Sequence, residues 1–250
     1  MPLGDDADVA RLAITLVDLT DLHDGTDAEA ATALCARARD AGVAAVCVWP
    51  AFVATCADAL GGSAVRVATV VNFPSGGQPM EDVVAETSAA LGDGAAEIDV
   101  VLPYRAWLAG DERLAGDVLD AVRETVSNGL RPGAVKVIIE SGELPDRAAV
   151  DRATHFAIAH GADFVKTSTG KSARSATLDA VETILEAIDV SGRRVGVKVS
   201  GGVRLLADAR QYLELAERVM DPGWASPATF RFGASGLLDD LLRHTDGSRD

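Results

Sequence analysis

Lys166 follows the short apolar run Phe164–Val165 and is followed by Thr167-Ser-Thr-Gly170, inside the stretch GADFVKTSTGKS. The apolar residues read as the end of a buried strand, and the hydroxyl and glycine cluster as the loop that leaves it. Lysine is rarely buried without a partner or a task. A partly desolvated lysine loses proton affinity and becomes an amine nucleophile near neutral pH, the chemistry of a Schiff base with a carbonyl substrate. The alternative is a strand-end lysine whose ammonium reaches water along its methylene stem. A second lysine, Lys198, stands in the apolar run Val195–Val199. Two ammonium groups on adjacent strands disfavour each other, so one of them gives up its proton more easily. Asp99, in the run Ala96–Leu102, either relays protons for this pair or forms a plain structural ion pair with Lys198.

These residues need a scaffold that brings distant segments together. Apolar runs occur at Ile14–Leu19, Val43–Val48, Val65–Val71, Ala96–Leu102, Val135–Ile139, Phe164–Thr167, Val195–Val199 and Phe230–Phe232. Helical patterns separate them, and many of these stop at a glycine such as Gly42, Gly92, Gly129 or Gly161. Alternating strands and helices imply a parallel sheet covered by helices. Eight such units in this length favour an α/β fold of the closed (β/α)8 TIM-barrel type, as one domain over 1–250. Residues 1–12 read as an N-terminal extension and 244–250 as a loose tail. In such barrels the active site lies at the carboxyl ends of the strands. That model gathers Asp18, Asp99, Glu140, Lys166 and Lys198 around one mouth. Ser200-Gly-Gly202 and Gly233-Ala-Ser235 leave the last two strands, where barrels frequently bind phosphate on backbone amides. Turn chemistry alone also calls for glycine there.

Composition narrows the partners. A formal net charge of -15 argues against nucleic acid or an anionic membrane surface. No apolar run approaches a membrane span, and the acidic N-terminus has no signal-peptide core. Cys35, Cys47 and Cys56 are an odd set without metal spacing, consistent with reduced thiols and a cytoplasmic location. No dinucleotide fingerprint or phosphate-cradling lysine loop occurs. Glu97 and Asp99 lie two apart on one strand, but no histidine joins them, so no metal is expected.

The segments LVDLTDLHDGTD, AAVCVWPAFV, VRVATVVNFPSGG, AEIDVVLPYRAWLAGD, VKVIIESGEL, GADFVKTSTGKS, VGVKVSGGVR and RFGASGLL together resemble the deoxyribose-phosphate aldolase family, from about Leu16 to Leu242. The NFPSG, PYRA, STGK and RFGAS details resemble its enterobacterial branch. The resemblance implies a lyase of deoxyribose catabolism that reversibly cleaves 2-deoxy-D-ribose 5-phosphate to acetaldehyde and D-glyceraldehyde 3-phosphate. It implies Lys166 as the Schiff-base lysine, Lys198 as the lysine that lowers its pKa, and Asp99 as the proton-relay carboxylate. Gly201, Gly202 and Ser235 match phosphate-binding positions, and Lys171 matches a lysine near the phosphate entrance. Asp18 and Thr20 match the mouth of the first strand, and Cys47 a cysteine near the site. No cofactor is implied, the partners are small phosphosugars and aldehydes, and the assembly is a monomer or homodimer. Two departures stand out. Gly236 replaces a serine frequent in relatives, removing one hydroxyl contact to phosphate. No tyrosine follows Tyr212, whereas relatives often end in one; this bears on the speed of proton exchange and not on the lysine chemistry.

Overall fold

The structure is a computed structural model and describes residues 3–130 and 133–246. Eight parallel strands close into a barrel in sequence order: β1 (Val17–Asp21), β2 (Ala45–Val48), β3 (Arg66–Val71), β4 (Glu97–Val101), β5 (Ala134–Ile138), β6 (Phe164–Lys166), β7 (Gly196–Ser200) and β8 (Phe230–Ala234). The single-domain (β/α)8 architecture read from the sequence is therefore the observed one. Strands buried on both faces must be nearly continuous apolar runs, and Val, Ile and Ala supply them.

The helices are α1 (Asp6–Thr15), α2 (Ala28–Ala41), α3 (Val53–Ala59), α4 (Met80–Gly92), α5 (Tyr104–Leu108), α6 (Glu112–Ser127), α7 (Arg147–Ala159), α8 (Leu178–Ser191), α9 (Leu206–Val219) and α10 (Leu237–Asp246). Asp5, Asp27, Asp111, Asp146 and Thr177 cap the starts of α1, α2, α6, α7 and α8, each side chain accepting from a first-turn amide. The larger apolar core fills the space between the outer face of the sheet and these helices.

The N-terminal segment differs from its reading as an extension. Residues 6–15 form α1, which buries Val9, Ala10, Ala13 and Ile14 and packs against α10. Ile14 thus belongs to a helix, and the first strand starts at Val17. The tail reading also changes, because α10 continues through His244 to Asp246; 247–250 lie outside the described residues. After β2 the chain makes a 3-10 turn at Pro50–Phe52 before α3. A short helix not anticipated, α5, intervenes between β4 and α6.

The barrel interior is divided. On the β1–β3 side, Ala45, Cys47, Ala68 and Val70 form a small apolar cluster with Leu22, against which Trp49 and Phe73 pack. From β4 round to β1, the interior carries Glu97, Asp99, Lys136, Lys166, Lys198, Arg231 and Asp18, each at most 3% exposed. Barrel interiors are usually filled by branched apolar side chains. Half of this one is ionic instead, and that half holds the candidate site.

Candidate active site

Each ionic side chain is placed by the two-residue alternation of a strand, which sends every second residue inward. Register then sets neighbours side by side: Asp99 beside Lys136, Lys166 beside Lys198, and Lys198 beside Arg231. Lys166 Nζ lies 2.8 Å from Asp99 Oδ2, and Lys198 Nζ lies 2.7 Å from the same oxygen. Lys198 Nζ is also 2.6 Å from Asp18 Oδ2. Lys136 Nζ binds the other Asp99 oxygen, Oδ1, at 2.7 Å and Glu97 Oε2 at 2.6 Å. Asp99 therefore contacts three lysines at once.

Burial and charge act oppositely on the two amines that share Oδ2. Burial lowers the proton affinity of Lys166, and the nearby Lys198 ammonium adds to this against the pull of Asp99, so its pKa falls below the ordinary lysine value. Burial works the same way on Lys198, but Asp18 and Asp99 together outweigh it and hold Lys198 protonated. Burial would raise the pKa of Asp99, yet Lys136, Lys166 and Lys198 keep it well below the carboxylate range. The result is a poised amine beside a fixed cation and a fixed anion.

Lys166 forms part of the floor of an open cavity of about 700 Å³, whose walls include Thr20, Lys171, Gly201, Gly202, Arg204 and Ser235. Gly201 and Gly202 have φ of 86° and 85°, a region that L side chains rarely adopt. Thr167 fixes this loop: its Oγ1 accepts from Ser200 N at 3.0 Å and donates to Ser200 O at 3.2 Å. Lys171 lines the same wall, donating to Leu22 O at 2.8 Å with its ammonium 5.6 Å from the Trp49 ring centre. Asp18 does not reach the mouth; it is fully buried below Thr20, between Lys198 and Arg231. Cys47 is fully buried on the apolar side of the interior, and burial pushes its thiol pKa up.

Glu140 was expected at the mouth with the other charges. It takes no part in the lysine cluster. Its backbone turns at φ 49°, and its carboxylate accepts from Thr169 N, Thr169 Oγ1 and Ser172 Oγ, pinning the loop after β6. Lys136 and Arg231 were not singled out from the sequence. Alternation was the available signal: Lys136 pairs in register with the inward Asp99, and Arg231 stands two before the inward Gly233. The chain has four lysines in all, Lys136, Lys166, Lys171 and Lys198, and all of them stand in the cluster or line the cavity above it.

Gly233 shows how tightly the floor is packed. A Cβ there would overlap Ser200 Oγ and lie 2.9 Å from Lys198 Cε. Gly233→Ala is expected to displace Lys198 and lower kcat on the order of a hundredfold, since errors of about 1 Å cost that much. Steady-state kinetics beside a circular dichroism spectrum check it; near-wild-type kcat would mean the floor yields.

An eightfold barrel with a desolvated amine at the floor of a glycine-walled mouth has the architecture of the barrel aldolases. The chain belongs to the DeoC/LacD aldolase family, whose sequence profile matches residues 12–241. It is 49% identical over 245 residues to the deoxyribose-phosphate aldolase of Agrobacterium fabrum, covering 97% of this chain and 93% of that protein. A Toxoplasma gondii structure assigned as a deoxyribose-phosphate aldolase superposes with a TM-score of 0.86 at 27% identity, covering 96% of this chain and 95% of that one. The tetrameric deoxyribose phosphate aldolase of Aeropyrum pernix gives 0.76 at 27% identity over 96% and 92%.

Among the described residues no group of three or more His, Cys, Asp or Glu side chains is arranged to hold a metal ion, and no helix is long and apolar enough to cross a membrane.

Proposed function

We propose that this chain reversibly cleaves 2-deoxy-D-ribose 5-phosphate to acetaldehyde and D-glyceraldehyde 3-phosphate, with Lys166 as the imine-forming amine. The observation that carries this reading is the sharing of one Asp99 oxygen by Lys166 and Lys198, at 2.8 and 2.7 Å, beneath a mouth walled by Gly201, Gly202 and Ser235. The similarity to the Agrobacterium fabrum aldolase supports the choice of substrate.

In this mechanism the neutral Lys166 Nζ adds to C1 of the open-chain sugar, forming a C–N bond. One Nζ proton passes to the former carbonyl oxygen to give a carbinolamine, a second proton is delivered to that oxygen, and it leaves as water to give the iminium. The bond that then breaks is C2–C3 rather than C3–C4, because only electrons released at C2 flow into the iminium to give an enamine. The C3 hydroxyl gives up its proton as C3 becomes the aldehyde of glyceraldehyde 3-phosphate. Protonation of the enamine at C2 and addition of water release acetaldehyde and restore the amine. Asp99 accepts and returns protons at Lys166 Nζ, and Lys198 stays cationic, keeping the resting amine neutral.

The substrate phosphate lies against the backbone amides of Gly201 and Gly202 and the Ser235 hydroxyl, with Lys171 and Arg204 supplying positive charge. Gly236 offers only its backbone there. Ser200 Oγ is buried against Gly233 with no hydrogen-bond partner among the described residues. Cys35, Cys47 and Cys56, all free and buried, suit the cytoplasmic setting of such a reaction.

Borohydride trapping tests the reading. After incubation with acetaldehyde and reduction, an ethyl group is expected on Lys166. Three of the four lysines are buried, so background should be confined to Lys171 and the chain N-terminus. Label there with Lys166 unmodified would leave a phosphosugar-binding barrel without the chemistry.

A further inference from the structure

Below the reacting amine lies a second tier of charge that the reaction steps do not use. Arg231, from β8, places Nη1 2.6 Å from Asp18 Oδ1 and 3.2 Å from Glu97 Oε2, with Nη2 3.0 Å from Glu97 Oε1. Its Nε donates to Pro227 O at 2.6 Å, and its guanidinium lies 5.3 Å from the Phe164 ring centre. The geometry points to Arg231 as a positioning residue for the reaction: acting through Asp18, Lys198 and Asp99, it completes a cluster whose charges balance when Lys166 is a free amine.

The count comes from the contacts. Among the described residues, the buried cluster holds three carboxylates, Asp18, Glu97 and Asp99, and three cations besides Lys166, namely Lys136, Lys198 and Arg231. Arg66, on β3, reaches Glu97 Oε1 at 3.4 Å, but its side chain is 57% exposed and its charge is screened by water. Cys47, on β2, also faces the amines and is held as a neutral thiol. A protonated Lys166 would give the dry interior one uncompensated positive charge, which is costly.

Geometry also decides which amine gives way. Lys198 touches two carboxylates, Asp18 and Asp99, and Lys136 touches Asp99 and Glu97, with Asp18 at 3.6 Å. Lys166 has Asp99 alone, and shares that oxygen. An arginine suits the base of the cluster because its guanidinium does not deprotonate and can bridge two carboxylates. With that cation fixed, any missing positive charge must be made up by the amine with the weakest hold on its proton, which is Lys166.

This inference rests on Lys166 as the reacting amine, and its test separates the two. The rate of borohydride trapping with acetaldehyde and kcat/KM for deoxyribose 5-phosphate are measured against pH for wild type, Arg231→Gln, Arg231→Lys and the double variant Arg231→Gln/Glu97→Gln. Removing one cation leaves an excess carboxylate, so Lys166 holds its proton to higher pH. The acid limb of Arg231→Gln should move up by about one pH unit, a roughly tenfold loss below the limb. Arg231→Lys keeps the charge, and the double variant removes one charge of each sign, so both should keep the wild-type limb. A guanidinium needed only for packing would leave the limb of Arg231→Gln in place, or shift the double variant as far as the single; either result overturns the inference. If Arg231→Gln does not fold, Glu97→Gln beside the double variant decides: the limb should fall in Glu97→Gln, which loses an anion, and return to the wild-type position in the double variant, whereas a limb at the same pH in both refutes the charge balance. Failure of wild type to trap acetaldehyde at Lys166 would instead defeat the underlying mechanism.

Discussion

Lys166→Ala should lose at least about four orders of magnitude in turnover of deoxyribose 5-phosphate while keeping its fold, because removing a covalent nucleophile leaves only binding and electrostatics to act. The charge pattern sharpens this expectation. The other buried cations and carboxylates already match one another, so deleting the Lys166 side chain leaves no buried charge unpaired. Thermal unfolding of Lys166→Ala should therefore begin no more than a few degrees below wild type, offset by the loss of a desolvated amine. Lys166→Arg makes the contrast. It cannot form the imine, and it places a permanent extra cation in the interior, so it should be both inactive and clearly less stable. Turnover by Lys166→Ala within about tenfold of wild type would remove the Schiff-base assignment. Equal stability of the alanine and arginine variants would remove the claim that Lys166 rests uncharged.

Position along the chain made part of this site legible. Lys166, Lys198 and Asp99 are charged residues in apolar runs, and the barrel topology alone brings those runs to one interior. What strand position cannot show is depth and direction. Asp18 and Thr20 are two residues apart and both face inward, yet one is sealed under the floor and the other lines the cavity. Glu140 stands one turn past β5, where a left-handed backbone carries its carboxylate to the Thr169 loop. Arg231 and Lys136 are each a single polar residue inside a short apolar run, which by itself does not mark a site. Only the register with Lys198 and Asp99 shows that they extend the same ionic layer. At the N-terminus the apolar run crosses from α1 into β1 with Leu16 as the only joint, so hydrophobicity carries no boundary there. Five residues of α5 are too few to display a helical period.

Asp99→Asn separates the two readings of the carboxylate that the sequence left open. Asp99 raises the proton affinity of Lys166, so neutralising it should make the free amine available at lower pH and move the acid limb of the rate profile down. A carboxylate that served only as a structural counter-ion would then leave kcat near wild type or improve it at low pH. If Asp99 carries protons to and from the carbinolamine and enamine, kcat should instead fall by about two to four orders of magnitude, even above the shifted limb. Stability supplies the second arm. Lys136 and Lys198 would each lose one of their carboxylates, and a broken buried pair typically costs about 3–5 kcal/mol. The sign with pH follows from the depressed pKa of Asp99 in the folded chain. Its stabilising contribution is complete above the unfolded carboxylate value of about 3.9, and is lost as pH falls through the lower folded value. The stability gap between wild type and Asp99→Asn should therefore be widest at neutral pH and narrow in strong acid. A gap that widened on acidification would show that Asp99 is not the anion holding these lysines together.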